Sequence, residues 1–384
     1  MTSVAPDGAE AAPASPVTVL HFVTGGFSGA TQVAVDLTRE ARHEPGMRAI
    51  LVLRRKRKTP MDRVQALRAE GLDVRLVPGW SHAATILALA GICRAERPDV
   101  LMAHGFPEHI LGRWAGWWTG VPALVQVEHN SRERYTAWRR AQAAWLSRRS
   151  ARLVGVSEGV ARSLRAMDLP ADRIVAIPNG VSVARFAEAG EHPFAEREPG
   201  LVMAARFASQ KDHATALRAL ALLRDEHGLR PRLTFAGLGS GLWRSRALKL
   251  RDELGLGDQV DFAGHVADLP QRLMSHQIGL LATHYEGMPL ALIEAMAAGC
   301  VAIASKVPGV EELIEHGHDG LLFPDRDAAA LAACIAGVLR DPVRGAAIAA
   351  AGRAAALSRH DIALTRARYA QLCRDAAAGK FAAG

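Results

Sequence analysis

Short apolar runs alternate with longer stretches of helical periodicity through both halves of the chain, and this alternation leaves few folds open. In the first half, strands are predicted over Val17–Val23, Arg48–Leu53, Asp73–Val77, Val100–Ala103, Ala123–Val127, Arg152–Val156 and Ile174–Ile177. In the second half they are predicted over Leu201–Ala204, Arg232–Ala236, Gln259–Phe262, Ile278–Ala282, Val301–Ala304 and Gly320–Phe323. Strands separated by helical patterns argue for parallel sheets covered by helices. At 384 residues the chain is long enough for two domains of ordinary size. Between the halves, the stretch from Phe186 to Gly200 is rich in Glu, Ala, Pro and Gly and has no period, which is a linker composition. The first residues, 1–16, are small, acidic in places and dotted with proline. They lack the positive start and apolar middle of a secretory signal and read as a disordered tail.

Composition narrows the function classes. A hydrophobic share of 49% with 22% charged residues is that of a globular chain. No apolar run approaches the roughly 20 residues that span a bilayer, and Ala83–Cys93, the longest, is expected to be a buried helix. Cys93, Cys300, Cys334 and Cys373 are scattered, without metal spacing or a disulfide framework, and suit a reduced cytoplasm. The net charge of +8 is uneven. One block is Arg54, Arg55, Lys56, Arg57 and Lys58; a second runs through Arg132, Arg134, Arg139, Arg140, Arg148, Arg149 and Arg152. These are either a solvated surface or a surface drawn to anionic lipid headgroups, worth ~1 kcal/mol per basic residue. Nucleic acid ranks below both, because the first block has no interleaved aromatics and no known binding motif accompanies it.

The stretch HYEGMPLALIEAMAAGC concentrates candidate chemistry. The strand Ile278–Ala282 empties into a turn carrying Glu286 and Gly287, and Pro289 is expected to open a helix over Leu290 to Ala298 that contains Glu294. In an open α/β sheet, ligands bind beyond the carboxyl ends of the strands. Two carboxylates there suit sugar or ribose hydroxyls, while the amides of Gly287, Met288 and Leu290 at a helix start suit an anion. Spacing alone leaves the alternative of two solvated glutamates on an ordinary turn. Arg206 and Lys211, in ARFASQKDH, follow the first strand of the second half. A planar guanidinium fork and a movable ammonium together suit a diphosphate. Gly25 and Gly26 follow the strand LHFVT ahead of a helix beginning near Ala30, and allow close backbone approach to a phosphate or acceptor, or simply a turn. Taken singly, His104, His129 and His265 are ordinary histidines, and Glu128 is either a base or a scaffold. Trp114, Trp117 and Trp118 have the helical spacing of core or membrane-side packing.

The block from Glu286 to Gly299 resembles the E-x7-E signature of the retaining family-four (group 1) glycosyltransferases. The resemblance runs from about Val17 to the last helix, with HFVTGGFSGA, MAHG, VEHN, VGVSEGV, IPNGV, ARFASQKD, FAGLGSG and FAGH in the expected order. It implies the α/β GT-B fold, two Rossmann-like doubly wound domains with an interdomain cleft. The acceptor-side domain would comprise 17–187 plus 362–384, with the last helix crossing back; 188–200 would be the linker and 201–361 the nucleotide-sugar domain. It also implies transfer of a sugar from a nucleoside-diphosphate sugar, a UDP-sugar being favoured, with retention of anomeric configuration. No metal and no cofactor beyond the nucleotide-sugar co-substrate would be needed. The expected acceptor is a glycan or a lipid-linked one in cell-surface polysaccharide assembly. The expected location is the cytoplasm, with peripheral contact to the inner face of an anionic membrane and no nucleic-acid partner.

Residue by residue, the resemblance gives Glu294 the ribose hydroxyls and Glu286 and His104 the donor sugar. Gly287, Met288, Pro289 and Leu290 match the loop whose amides bind sugar and phosphate, Arg206 and Lys211 the diphosphate cations, and Gly264 and His265 the base-binding loop. Gly25 and Gly26 match the glycine turn of the first domain. Ala205 stands where the family usually has Gly. Retention would proceed on one face of the sugar or through Glu286 as a nucleophile. A sugar-nucleotide epimerase of the same fold would lack the E-x7-E block. An NADP-dependent oxidoreductase would use GGFSG and RRKRK, but the G-x-G-x-x-G pattern is absent.

Overall fold

The computed structural model describes residues 16–131, 135–239 and 241–381. The expected tail over 1–16, apart from Pro16, and the basic residues Arg132 and Arg134 lie outside the described residues. Among those described, the chain forms β1 (Val17–Thr24), β2 (Met47–Arg55), β3 (Val74–Pro78), β4 (Val100–His104), β5 (Ala123–Glu128), β6 (Arg152–Gly155) and β7 (Ile174–Ala176). These make a seven-stranded sheet in the order β3-β2-β1-β4-β5-β6-β7. The second sheet contains β8 (Glu198–Ala204), β9 (Leu233–Ala236), β10 (Val260–Gly264), β11 (His276–Leu281), β12 (Val301–Ser305) and β13 (Leu321–Phe323). Its six strands run β10-β9-β8-β11-β12-β13 and pair in parallel. Every predicted strand is present, its ends shifted by a few residues.

The described residues of Met1–Val125, Arg149–Ala151 and Ala370–Gly384 form one compact unit, and those of Gln126–Arg148 and Arg152–Tyr369 a second. In the first unit, Leu20, Phe22, Ile50, Val52, Leu101 and Ala103 pack on one side of the strands. Val23, Leu51, Leu53, Val64 and Val74 pack on the other. Burial on both faces is why these strands read as unbroken apolar runs rather than alternating ones. The C-terminal part of the helix Ile362–Ala377 belongs to this unit, where Arg374 pairs with Glu44 at 2.7 Å. In the second unit, Phe207 and Phe235 meet the imidazole of His213, which stacks on Phe207 with ring centroids 4.2 Å apart, and Phe262 packs on both phenylalanines. Helices begin where a side chain can accept an otherwise orphaned amide: Ser81, Ser157, Asp212, Asp327 and Asp341 each do so. Within the stretch of linker composition, 3-10 turns form over Val183–Glu191 and Phe194–Glu196, and Phe186 is wholly buried.

Several expectations are corrected. The helix His82–Glu96 buries only one stripe, including Leu89, Ala90 and Cys93, and leaves Leu87 57% exposed. Trp117 and Trp118 are about half exposed, with Arg94 over the Trp118 ring at 5.0 Å, so neither is a core residue. Pro289 takes the capping position just before the helix Leu290–Ala297 rather than its first turn. The first basic block is not uniform: Arg54 is buried, donating to Glu108 Oε1 at 3.3 Å and to the Gly79 carbonyl at 3.3 Å. Only Arg55, Lys56, Arg57 and Lys58 are exposed. No helix among the described residues is long and apolar enough to cross a membrane.

Burial pushes the imidazoles of His21 and His213 from 6.5 down to about 4. Both stay neutral in the fold while the unfolded chain takes up protons below 6.5. Their contribution is therefore complete above that pH and is lost as pH falls towards 4, on the order of 3 kcal/mol each. Melting temperature should fall steeply between pH 6.5 and 4, and His213→Gln should flatten part of that slope. A melting temperature indifferent to pH across this window would refute the assignment.

Candidate active site

In each sheet the first strand lies inside the order rather than at an edge, so connections leave in opposite directions from neighbouring strands. Such a switch point is where open α/β sheets bind ligands. In the second unit the neighbours are β8 and β11. Arg206, just beyond β8, has an exposed side chain, and Lys211 follows in the same loop. The loop is laced to the segment after β11: Asp212 N donates to the Ala282 carbonyl at 3.0 Å, and His284 N to the Gln210 carbonyl at 3.0 Å. Lys211 and Thr283 form an antiparallel bridge. This lacing carries Lys211 Nζ onto Glu286 Oε1, which also accepts the Thr283 hydroxyl at 2.8 Å. Lys211 and Glu286 are only 14% and 10% exposed, so each charge depends on its partner.

The glycine loop after β9 lies against the same strand end. A Cβ on Gly237 would fall 2.1 Å from the Ala205 carbonyl oxygen, and one on Gly239 would fall 2.5 Å from Phe207 backbone atoms. Only glycine permits that approach, and the helix Gly241–Glu253 comes next in the chain. Ala205, where a glycine was expected, is 6% exposed, and the close approach is met from the Gly237 side. Next to it, β10 ends at Gly264, with φ +68, and His265 is exposed. Arg206, Gly264, His265 and Glu286 thus share the carboxyl edge of one sheet.

The turn after Glu286 is held on all sides. Ser131 Oγ donates to the Glu286 carbonyl at 3.1 Å, and Asn179 Nδ2 to the Met288 carbonyl at 3.2 Å. A Cβ on Gly287 would meet the His129 carbonyl oxygen at 2.2 Å, and one on Gly309 would meet the Gly287 carbonyl oxygen at 2.2 Å. Met288 is buried and Leu290 partly so. Glu294, one turn into the following helix, has a side chain 16% exposed and accepts Arg185 Nη1 on Oε1 at 2.9 Å. Burial raises the Glu294 carboxyl above its ordinary range, and Arg185 opposes that rise. Thr283, Arg185, Asn179 and Ser131 escaped the sequence reading, because each meets the turn from a segment distant in sequence or through a hydroxyl that no motif marks. Among the described residues, Asp212, His284 and Asp325 bring three potential cation ligands within 4.8 Å of one another. Asp212 already accepts Thr215 N and Oγ1, and His284 Nδ1 lies 2.8 Å from Asp325 Oδ1.

In the first unit the switch falls between β1 and β4. Gly25 N donates to the Arg54 carbonyl at 2.9 Å, and a Cβ there would fall 2.7 Å from the same oxygen. Gly26 follows in the turn, ahead of the helix Gly29–Glu40. His104, at the end of β4, is fully buried with Nε2 3.1 Å from His21 Nδ1. Glu128, which falls in the second unit, is buried at the end of β5 and accepts from Gln126, Tyr135 and its neighbour's amide. The clamp on the Glu286 turn predicts unequal glycine substitutions. Gly309 and Gly317 have similar φ, +85 and +84, but only Gly309 meets backbone. Gly317→Ala should cost about 1 kcal/mol for its backbone angle. Gly309→Ala should cost clearly more, as read by denaturant unfolding, and equal costs would show the clamp to be slack.

Two family models match adjoining parts of the chain: Glycosyltransferase Family 4 over residues 27–185 and Glycosyl transferases group 1 over 185–355. The glycogen synthase of Mycobacterium tuberculosis strain H37Rv is 28% identical over 66% of this chain, a span covering 63% of that relative's length. An Escherichia coli UDP-Gal:alpha-D-GlcNAc-diphosphoundecaprenol alpha-1,3-galactosyltransferase is 26% identical over 63% of this chain and 67% of its own. The crystal structure of Anabaena Alr3699/HepE in complex with UDP-glucose superposes with a TM-score of 0.81 at 19% identity, covering 93% of this chain and 99% of that one. The likeness establishes the α/β GT-B fold of two parallel-sheet, Rossmann-like domains, and the comparisons support neither the epimerase nor the oxidoreductase. With consecutive models spanning residues 27–355 and that fold in place, the chain belongs to the group 1, family 4 glycosyltransferases.

Proposed function

We propose that the protein transfers a sugar from a nucleoside-diphosphate sugar, a UDP-sugar by preference, to a glycan or lipid-linked acceptor in cell-surface polysaccharide assembly. The observation that carries this reading is the Lys211–Glu286–Thr283 constellation at the β8–β11 switch point, beside Arg206 and the close-packed Gly237 and Gly239. Cations and helix amides there suit a diphosphate, and carboxylates suit hydroxyls. Preference for uridine draws on Anabaena HepE, whose structure holds UDP-glucose, and on the E. coli relative that uses UDP-Gal. That relative also takes a diphosphoundecaprenol acceptor.

In the reaction, the bond between the anomeric carbon and the β-phosphate oxygen breaks while the acceptor oxygen bonds to the same face. The acceptor proton passes to the departing phosphate oxygen, and configuration is retained. Arg206 and Lys211 stabilise the charge that develops on the diphosphate, which is the dominant kind of catalytic contribution at such sites. Glu286, held by Thr283, binds the donor sugar, and Glu294 binds the ribose. The turn amides of Gly287, Met288 and Leu290 contact sugar and phosphate, and Gly264 and His265 the base. In the first unit, Gly25, Gly26 and His104 keep the recognition roles that the family implies. No metal is needed in this scheme, since fixed cations do its work.

Association with an anionic membrane draws on one further feature. Trp80 is 83% exposed, and its neighbour Gly79 packs against the Arg55 carbonyl, which sets an aromatic ring beside the exposed Arg55–Lys58 run. Such a pairing suits the headgroup region.

Three outcomes are expected. Arg206→Ala and Lys211→Ala should each lower kcat by roughly 100-fold, with unchanged turnover refuting the phosphate role. Thr283→Val should lower kcat by about tenfold, and Thr283→Ser should restore it, as for a hydrogen bond to a charged group. Activity should survive a chelator; its loss, recovered on adding a divalent cation, would point to the Asp212–His284–Asp325 group and overturn the metal-free scheme.

A further inference from the structure

The Glu294 carboxylate is not held by its own helix. Its Oε1 accepts Arg185 Nη1 at 2.9 Å, whereas Oε2 makes no hydrogen bond among the described residues. Arg185 comes from the 3-10 segment Val183–Glu191, outside the strands of the second sheet. Its backbone is pinned: Arg185 N donates to the Ser182 carbonyl at 3.2 Å, and the next residue, Phe186, is wholly buried, with its carbonyl accepting Arg353 Nη1 at 3.0 Å. The guanidinium lies 5.7 Å from the Phe186 ring centroid and remains 46% exposed. A rigid backbone thus carries a half-exposed head onto one oxygen of a largely buried carboxylate. Such a contact matters little to the core and much to where that carboxylate points.

We propose that Arg185 is a positioning residue for donor recognition: its guanidinium orients the Glu294 carboxylate so that Oε2 is presented to the vicinal hydroxyls of the donor ribose. This rests on the donor reading above. A diol donates two hydrogen bonds and needs acceptor lone pairs in one plane, and Arg185 fixes that plane by holding the opposite oxygen. Burial favours the neutral acid, which would replace an acceptor with a competing donor, and the nearby cation counters that tendency. Arg185 itself touches no reacting atom in this scheme, so its loss should appear in donor binding rather than in the chemical step.

The test measures binding of UDP, and of GDP and ADP in parallel, with their 2′-deoxy counterparts, by calorimetry. It compares the wild-type protein, Arg185→Met, Arg185→Lys and Glu294→Gln. Arg185→Met should keep its melting temperature but weaken binding of the preferred ribonucleotide by about tenfold, the worth of a hydrogen bond to a charged group. Its loss of affinity for the 2′-deoxynucleotide, which keeps only the 3′ hydroxyl, should be clearly smaller than its loss for the ribonucleotide, and Arg185→Lys should recover part of the loss. With the sugar donor, KM should rise while kcat is nearly unchanged. Equal weakening of ribo- and deoxynucleotides, or none at all, would overturn the role of Arg185 and leave the transferase reading intact. Failure of the wild-type protein to bind any of the three nucleotides would overturn the donor reading and this proposal together.

Discussion

Two backbone hydrogen bonds, Asp212 N to Ala282 O and His284 N to Gln210 O, decide the geometry on which the site in the second unit depends. They tie the loop after β8 to the end of β11, two segments far apart in the chain and adjacent only because the sheet order reverses there. From that lacing follow the Lys211–Glu286 pair, the Thr283 hydroxyl on the same carboxylate and the direction of the turn that leads to Glu294. A partly buried ion pair of this kind contributes little net stability, because desolvating both charges offsets most of their attraction. Its effect is to fix two charged groups in one geometry, which a pair of apolar residues would not do.

Close backbone contact supports the same edge. At Gly237, Gly239, Gly287 and Gly309 a Cβ would overlap neighbouring backbone, so the loops after β8 and β9, and those after β5, β11 and β12, approach more closely than side chains allow. Loops packed this tightly have little freedom to reorganise around a ligand. Preorganised dipoles of this kind act without the reorganisation cost that water would incur.

Charge in the first unit divides into two kinds that composition could not separate. Arg54 is buried against Glu108, and Arg113 is fully buried and donates to the His109 carbonyl and the Ser150 hydroxyl. The neighbours Arg55, Lys56, Arg57 and Lys58 face solvent. Successive residues on a strand point to opposite faces, and the strand ends at Arg55. A block of like residues in the sequence therefore becomes one structural cation and a separate exposed run.

The alternation of apolar runs and helical stretches determined the α/β class and all of the observed strands, because burial on both faces leaves a local mark on each segment. The position of Glu286, Gly287 and Glu294 on a strand–turn–helix unit was equally legible, since strand, turn and helix are adjacent in the chain. Tertiary structure alone decided that Lys211 would pair with Glu286, that Thr283 would share its carboxylate, and that Arg185 would hold Glu294. It also placed Asn179 and Ser131 on the turn and set Arg54 against Glu108 rather than in solvent. Local pattern records whether a residue is buried and which way it faces. Which distant residue it meets depends on the order in which strands join the sheet, and no single segment carries that order.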